Sequence, residues 1–373
     1  MQGAEQAERV RPVDLRLTPA AASFRFGALD AWRGVAALAV ALYRLQADGV
    51  FYALPFVRNS YLFVDFFFVL SGFVIAYAYL GKLTDGRSTA VFAIRRFGRV
   101  WPLHIAMLLA FVALEASHLL RGEAAFQGAK APWTILPELA LLHGLGFTGL
   151  TDWNSPAWSI STEFWTYLIF AAVALSFRRQ MAIACFTIVT FSMAALVALS
   201  PTGMDVTFDY GMLRCLAGFF AGVATFLVWR AIHEGVALKR GTATALECAA
   251  ILAVIAFVSF AGIGPLSFAA PLVFAPAVLL FAFEAGALSR AMLTRPFQAL
   301  GEWSYAIYMT AYFIALFFNL KLVPRLEGLP MDLVAVAYLA TVIIASWLAF
   351  RLIETPTRRF FNARAARVQR ARF

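Results

Sequence analysis

Two arginines stand eleven residues apart in the first long apolar stretch of this chain, Arg33 and Arg44. On a helix, eleven residues at ~100° each return to within ~20° of the starting direction, which puts both guanidiniums on one face about 16 Å apart. Arginine in hydrocarbon is costly and normally faces a cavity or a buried partner. Two other apolar stretches hold carboxylates that could meet them. Asp65 and Ser71 are embedded in Phe63-Val64-Asp65-Phe66-Phe67-Phe68 and its continuation, and Glu163 closes the run Trp158-Ser159-Ile160-Ser161-Thr162. A glutamate inside a membrane is a candidate for proton transfer, and it can also serve to neutralise Arg33 or Arg44. Asp65 reads equally as a proton or cation partner and as half of an ion pair holding the first two helices together. Arg96 and Arg99, three apart before Pro102, point the same way from what reads as a helix start. Guanidiniums grip phosphates through paired hydrogen bonds, so a phosphorylated donor would suit them; the plainer reading is headgroup anchoring. Arg214, Glu302 and Glu354 read as structural. The four histidines, His104, His118, His143 and His233, read as interfacial polar residues, with His143 foremost among them for function. Cys185, Cys215 and Cys248 lack metal-ligand spacing and read as packing residues, so neither a metal nor a disulfide is expected.

The elements that must position these groups are membrane spans. Hydrophobic residues make up 62% of the chain and charged ones 14%, a balance that a bundle of lipid-facing helices tolerates and a soluble domain does not. Apolar runs of about 20 residues predict an all-α polytopic bundle of ten spans near 28–46, 61–80, 100–120, 157–177, 181–200, 210–230, 242–262, 267–288, 299–320 and 332–353. The stretch from Ile135 to Leu145 is too short for a span and contains Pro137, Glu138 and His143, so it reads as re-entrant or interfacial. With ten spans and a cytoplasmic amino terminus, 23 of the 31 Lys and Arg fall on the inner side, a strong positive-inside bias. The expected organisation is a cytoplasmic arm over 1–25 without the apolar core of a signal peptide, a transmembrane domain over 26–356, and a basic cytoplasmic tail over 357–373. The net charge of +10 follows from that topology, the basic tail after Thr355 reads as lying on anionic lipid, and no nucleic acid is implied.

Six segments in order resemble acyltransferase family 3, which includes membrane acetylases that modify O-antigen, peptidoglycan and other surface glycans. They are Leu29-Asp30 through Gly34; Val64-Asp65-Phe66 through Gly72-Phe73; Arg96 with Arg99; Trp158 through Glu163-Phe164; Ser304-Tyr305-Ala306-Ile307-Tyr308; and Ile353-Glu354-Thr355-Pro356. The resemblance covers roughly residues 28 to 360. It implies an integral inner-membrane O-acyltransferase with both termini cytoplasmic, taking a short acyl group, normally from acetyl-CoA, to a hydroxyl of an extracytoplasmic glycan or lipid. Arg96 and Arg99 would hold the coenzyme phosphates, and Arg33 would belong to the same site. The family's first span normally reads arginine, ten residues, histidine, and that histidine's slot is Arg44 here. A second family histidine would fall near Ala311. A guanidinium has no lone pair to offer as a base, so Arg44 could only stabilise an oxyanion or pair with Asp65 or Glu163. The base would then be Glu163, ahead of Asp65 and His143. The alternative is a family member without catalysis that binds, scaffolds or translocates.

Overall fold

The computed structural model describes residues 25–47, 49–147, 149, 153–326 and 329–370. Apart from Arg25, the expected amino-terminal arm lies outside them, as does the end of the tail beyond Arg370. Among the described residues the secondary structure is helical throughout, without strands. The long elements are α1 (Gly27–Arg44), α2 (Phe63–Tyr79), α3 (Gly86–Leu120), α4 (Ala157–Ser176), α5 (Met181–Leu199), α6 (Gly211–Ile232), α7 (Arg240–Ala261), α8 (Ala270–Phe281), α9 (Arg295–Phe317), α10 (Met331–Ala349) and α11 (Thr355–Arg370). Among the described residues, eight helices are long and apolar enough to cross a membrane. The remaining two expected spans correspond to α1, which carries Asp30, Arg33 and Arg44, and to the shorter apolar segment Pro265–Phe281. Large side chains such as Phe186, Phe191, Leu252, Phe260 and Leu272 point outward, as lipid-facing residues do.

The departures from expectation are local. Helix α3 begins at Gly86, fourteen residues before the expected span, because Asp85 caps it: the Ser88 amide donates to the Asp85 carboxylate at 2.7 Å and the Asp85 amide to Ser88 Oγ at 3.0 Å. Pro102 lies inside the helix without ending it. Thirty-five residues make a rod of about 52 Å against a hydrocarbon core of about 30 Å, so α3 projects well beyond the bilayer. Arg96 and Arg99 are therefore mid-helix residues. The basic tail is also more than a free extension. A π-helical turn, Phe350–Glu354, leads into α11, which lies along the first half of α3 with Phe361 packed against Gly98 and Phe97.

Glycines set the closest crossings. A methyl group on Gly72 of α2 would fall on the Phe219 carbonyl of α6, and one on Gly222 would fall on the Val69 carbonyl. Backbone-to-backbone contact of this kind gives lipid-embedded helices their packing energy. Gly34 meets Gly301 in the same way, fixing α1 beside α9. The segment between α3 and α4 folds back into the bundle: Trp101 Nε1 donates to the Leu139 carbonyl, and Ser161 and Trp165 both donate to the Leu141 carbonyl. His104, against which Glu138 packs, lies about 24 Å along α3 from Leu120, so the Ile135–Leu145 stretch is re-entrant.

Candidate active site

Helices α1, α2, α3, α4, α9 and α11 enclose a cavity of about 990 Å³. That is the upper end of the range for small-molecule sites. Six guanidiniums line it, from Arg25, Arg33, Arg95, Arg96, Arg99 and Arg358, against three carboxylates, Asp30, Glu163 and Glu302. The cavity is therefore electropositive. Its deep end is closed where Ser159 Oγ and the Tyr308 hydroxyl share a hydrogen bond of 2.8 Å, and Tyr308 also donates to the Pro156 carbonyl at 3.1 Å.

Local packing aims each cation. Arg33 lies on the α1 face that α9 covers; its Nε donates to Ser304 Oγ at 2.8 Å, and Nη2 donates to the Gly301 carbonyl at 3.0 Å and approaches Asp30 at 3.2 Å. Arg96 is stacked over the Tyr79 ring at 5.1 Å and donates to its hydroxyl at 3.1 Å, while its Nε has no partner. Arg95 Nε is likewise buried without a partner. Arg99 sits 3.9 Å from Glu354, the residue that the π-helical turn brings inward. Held guanidiniums with spare donors are what an incoming phosphate or carboxylate requires.

Glu163 stands apart from the other cavity carboxylates. Asp30 is paired with Arg25 and Arg33, and Glu302 with Arg25. No arginine among the described residues pairs directly with Glu163, although Arg33 and Arg99 are near enough to feel its charge. Its carboxylate is half-buried and opens to the cavity beside the Tyr167 phenol, whose hydroxyl meets Ser71 Oγ at 3.2 Å.

The other expected site residues lie elsewhere. Asp65 is fully buried, off the cavity wall, in a forked pair with Arg214 of α6: Nε donates to Oδ1 at 2.9 Å and Nη2 to Oδ2 at 2.7 Å. The ion pair thus ties α2 to α6 rather than α1 to α2. Arg44 also lies outside the cavity. It ends α1 with its guanidinium over the rings of Tyr43 and Tyr312 at 5.5 and 5.6 Å, and no described carboxylate pairs with it. Ala311, at the second family histidine position, is buried. His143 and His104 are buried together on the re-entrant segment and α3, away from the cavity. Sequence reasoning missed Tyr79, Tyr167, Arg95 and Arg358 as cavity residues. A tyrosine in an aromatic-rich helix carries no local signal of what it faces.

A family model described as an acyltransferase domain matches residues 26–351. The chain is 28% identical over 339 residues to the acyltransferase MdmB of Streptomyces mycarofaciens, covering 81% of each protein. It is 26% identical over 360 residues to the peptidoglycan O-acetyltransferase OatA of Listeria monocytogenes, covering 89% of this chain and 55% of that protein. A third relative, protein 2 of the picA locus of Rhizobium radiobacter, is 37% identical over 163 residues, 39% of this chain and 81% of the relative. No solved structure matches the chain.

Proposed function

We propose, since this chain belongs to the acyltransferase-3 family of multi-pass membrane proteins, that it moves a short acyl group, acetyl in the first instance, from acyl-CoA to a hydroxyl of an extracytoplasmic glycan or lipid. The donor enters from the basic end of the bundle; the positive-inside bias supports a cytoplasmic side for that end and both termini, in keeping with an inner-membrane protein. Arg96 and Arg99, with Arg95 and Arg358 beside them, hold the coenzyme phosphates, and the thioester lies between Arg33 and Glu163.

In the reaction, Glu163 takes the proton of the acceptor hydroxyl as the oxygen attacks the thioester carbonyl. The tetrahedral oxyanion faces Arg33, whose charge Ser304 and the Gly301 carbonyl hold in place and which needs no reorganisation. Collapse breaks the carbon–sulfur bond, the coenzyme leaves as thiolate, and the proton on Glu163 neutralises it. Arg44 and Asp65 are assigned positioning roles, since neither lines the cavity. The observation that carries this reading is the Glu163 carboxylate, which no arginine among the described residues pairs with, opening into a cavity whose other acids are matched by arginines.

The test is acetyl transfer from radiolabelled acetyl-CoA in inverted membrane vesicles, with Glu163→Gln and an Arg96→Gln/Arg99→Gln double variant beside wild type. Transfer that vanishes with Glu163→Gln while CoA binding persists supports the assignment. Arginine at position 44 and alanine at 311, where the family carries histidines, favour a second reading in which the chain binds without catalysis. CoA binding that depends on Arg96 and Arg99, with no transfer by wild type or Arg44→His, would select it.

A further inference from the structure

The re-entrant segment brings three side chains to one point that acyl transfer does not use. Glu138 and His143 come from the segment itself and His104 from α3, and all three are buried, at 1%, 3% and 1% exposure. Glu138 Oε2 lies 3.2 Å from His104 Nε2 and 3.3 Å from His143 Nδ1. Neither approach has hydrogen-bond direction: both Glu138 carboxylate oxygens, both His143 ring nitrogens and His104 Nδ1 are buried without a hydrogen-bond partner. The two imidazoles are stacked, with centroids 5.1 Å apart and planes 9° from parallel.

A carboxylate buried this deeply stays ionised only beside a cation or a metal ion. Among the described residues, the only basic groups paired with Glu138 are these two imidazoles. The spacing points to what they share. Ligand atoms bonded to a tetrahedral zinc ion at ~2.0–2.1 Å stand about 3.3–3.4 Å from one another. The carboxylate-to-nitrogen separations match that edge, and all three candidate ligand atoms lie within 4.8 Å of one another. Two imidazoles and one carboxylate are a ligand set that zinc uses when three protein groups bind it.

We propose that His104, Glu138 and His143 bind a divalent transition-metal ion, zinc foremost, which clips the re-entrant segment to α3. His104 Nε2 lies 3.0 Å from the Glu138 carbonyl oxygen and can donate to it while protonated; ligation displaces that proton. On its other side the segment is held to α4, where Ser161 and Trp165 donate to the Leu141 carbonyl and the Gly144 amide donates to Ser161 Oγ. The ion therefore steadies the start of α4, the stretch that carries Ser159 and Glu163. Its role is positional, because none of the three ligands lines the cavity.

The test is elemental analysis of the full chain purified in detergent without chelators, followed by chelator stripping and titration with Zn²⁺ and Co²⁺. Expected are about one equivalent of metal per chain, restoration of that stoichiometry after stripping, d–d absorption bands of four-coordinate Co²⁺, and a melting temperature raised by zinc. Glu138→Gln and His143→Gln should hold less than about a tenth of an equivalent, whereas His233→Gln should bind like wild type. Because a buried substitution can misfold, the wild-type titration stands alone as a criterion. A folded, monodisperse wild-type chain that takes up no stoichiometric metal and whose melting temperature excess zinc leaves unmoved overturns the proposal. So does zinc binding that survives Glu138→Gln unchanged.

Discussion

Asp65 and Arg214 offer the sharpest test of how charge is apportioned in this bundle. Both side chains are almost wholly buried, at 0% and 2% exposure, and the forked contact at 2.7 and 2.9 Å is completed by Arg214 donating to the Val206 and Tyr61 carbonyls at 3.2 Å. Aromatic faces of Tyr61 and Trp158 lie 5.7 and 5.5 Å from the guanidinium and add to its stabilisation. Removing one partner strands the other charge, which costs about 3–5 kcal/mol for a pair buried to this degree. Asp65→Asn strands Arg214 and Arg214→Gln strands Asp65, so each single variant should lose about that much. The double variant leaves two neutral amides and no stranded charge. Its loss should therefore not exceed that of one single variant, giving a coupling energy of about 3 kcal/mol or more instead of simple addition. The assay is reversible unfolding in mixed micelles followed by tryptophan fluorescence, with acetyl transfer measured on the same preparations. Losses that add to within about 0.5 kcal/mol would refute the ion-pair account. Asp65→Asn with native stability and abolished transfer would return Asp65 to the chemistry.

Three further outcomes follow from other contacts. Gly222→Ala places a methyl group on the Val69 carbonyl and should cost about 1–3 kcal/mol or more as α2 and α6 separate, read as a lowered melting temperature, whereas Gly241→Ala, with open space around it, should be close to neutral. Glu247 of α7 is buried and accepts the amides of Gly286, Leu288 and Ser289 and the Ser289 hydroxyl, so Glu247→Ala should destabilise by about 2–4 kcal/mol and expose residues 286–292 to hydrogen exchange. Asp85 has its pKa held below the ordinary carboxylate value, chiefly by the Ser88 amide, so its support for the start of α3 is complete above the unfolded value near ~3.9 and fades as pH falls through the lower folded value. Protection of the first turn of α3, taken as exchange relative to the intrinsic rate at each pH, should fall on acidification in wild type and stay constant with pH in Asp85→Ala.

The bundle was legible because hydrocarbon leaves few options: runs of about 20 apolar residues must be helices, and all ten expected positions hold one. What the sequence concealed was pairing. Arg44 and Asp65 can be matched on paper, since both sit in early spans, but Gly72 and Gly222 draw α2 onto α6 and hand Asp65 to Arg214. The reach of α3 was hidden because Pro102 reads as a boundary while the capping signal, Asp85 followed by Ser88, lies outside the apolar run. The His104, Glu138 and His143 cluster carried no spacing signal at all. His104 and Glu138 are 34 residues apart, and only a segment that turns back into the bundle joins them.

The geometry of α1 against α9 bears most directly on how an acyl group could cross. The Gly34–Gly301 approach sets the two helices side by side, and their contacts climb in step. Ser304 meets Arg33, Tyr308 one turn on meets Ser159 of α4, and Tyr312 one turn further lies under Arg44. The two arginines that share one face of α1 thus occupy different compartments, one in the cavity and one beyond the Tyr308–Ser159 closure. A residue at position 44 can touch the reacting thioester only if that closure opens. A carboxylate at position 163 reaches the thioester without that motion, because it already faces the cavity from the helix whose first turn forms the closure, and the closure has to open only to admit the extracytoplasmic acceptor. If this chain transfers acyl groups with arginine at position 44, the base must lie on the Arg33 side of Tyr308, and Glu163 is the one cavity carboxylate there without an arginine paired to it among the described residues.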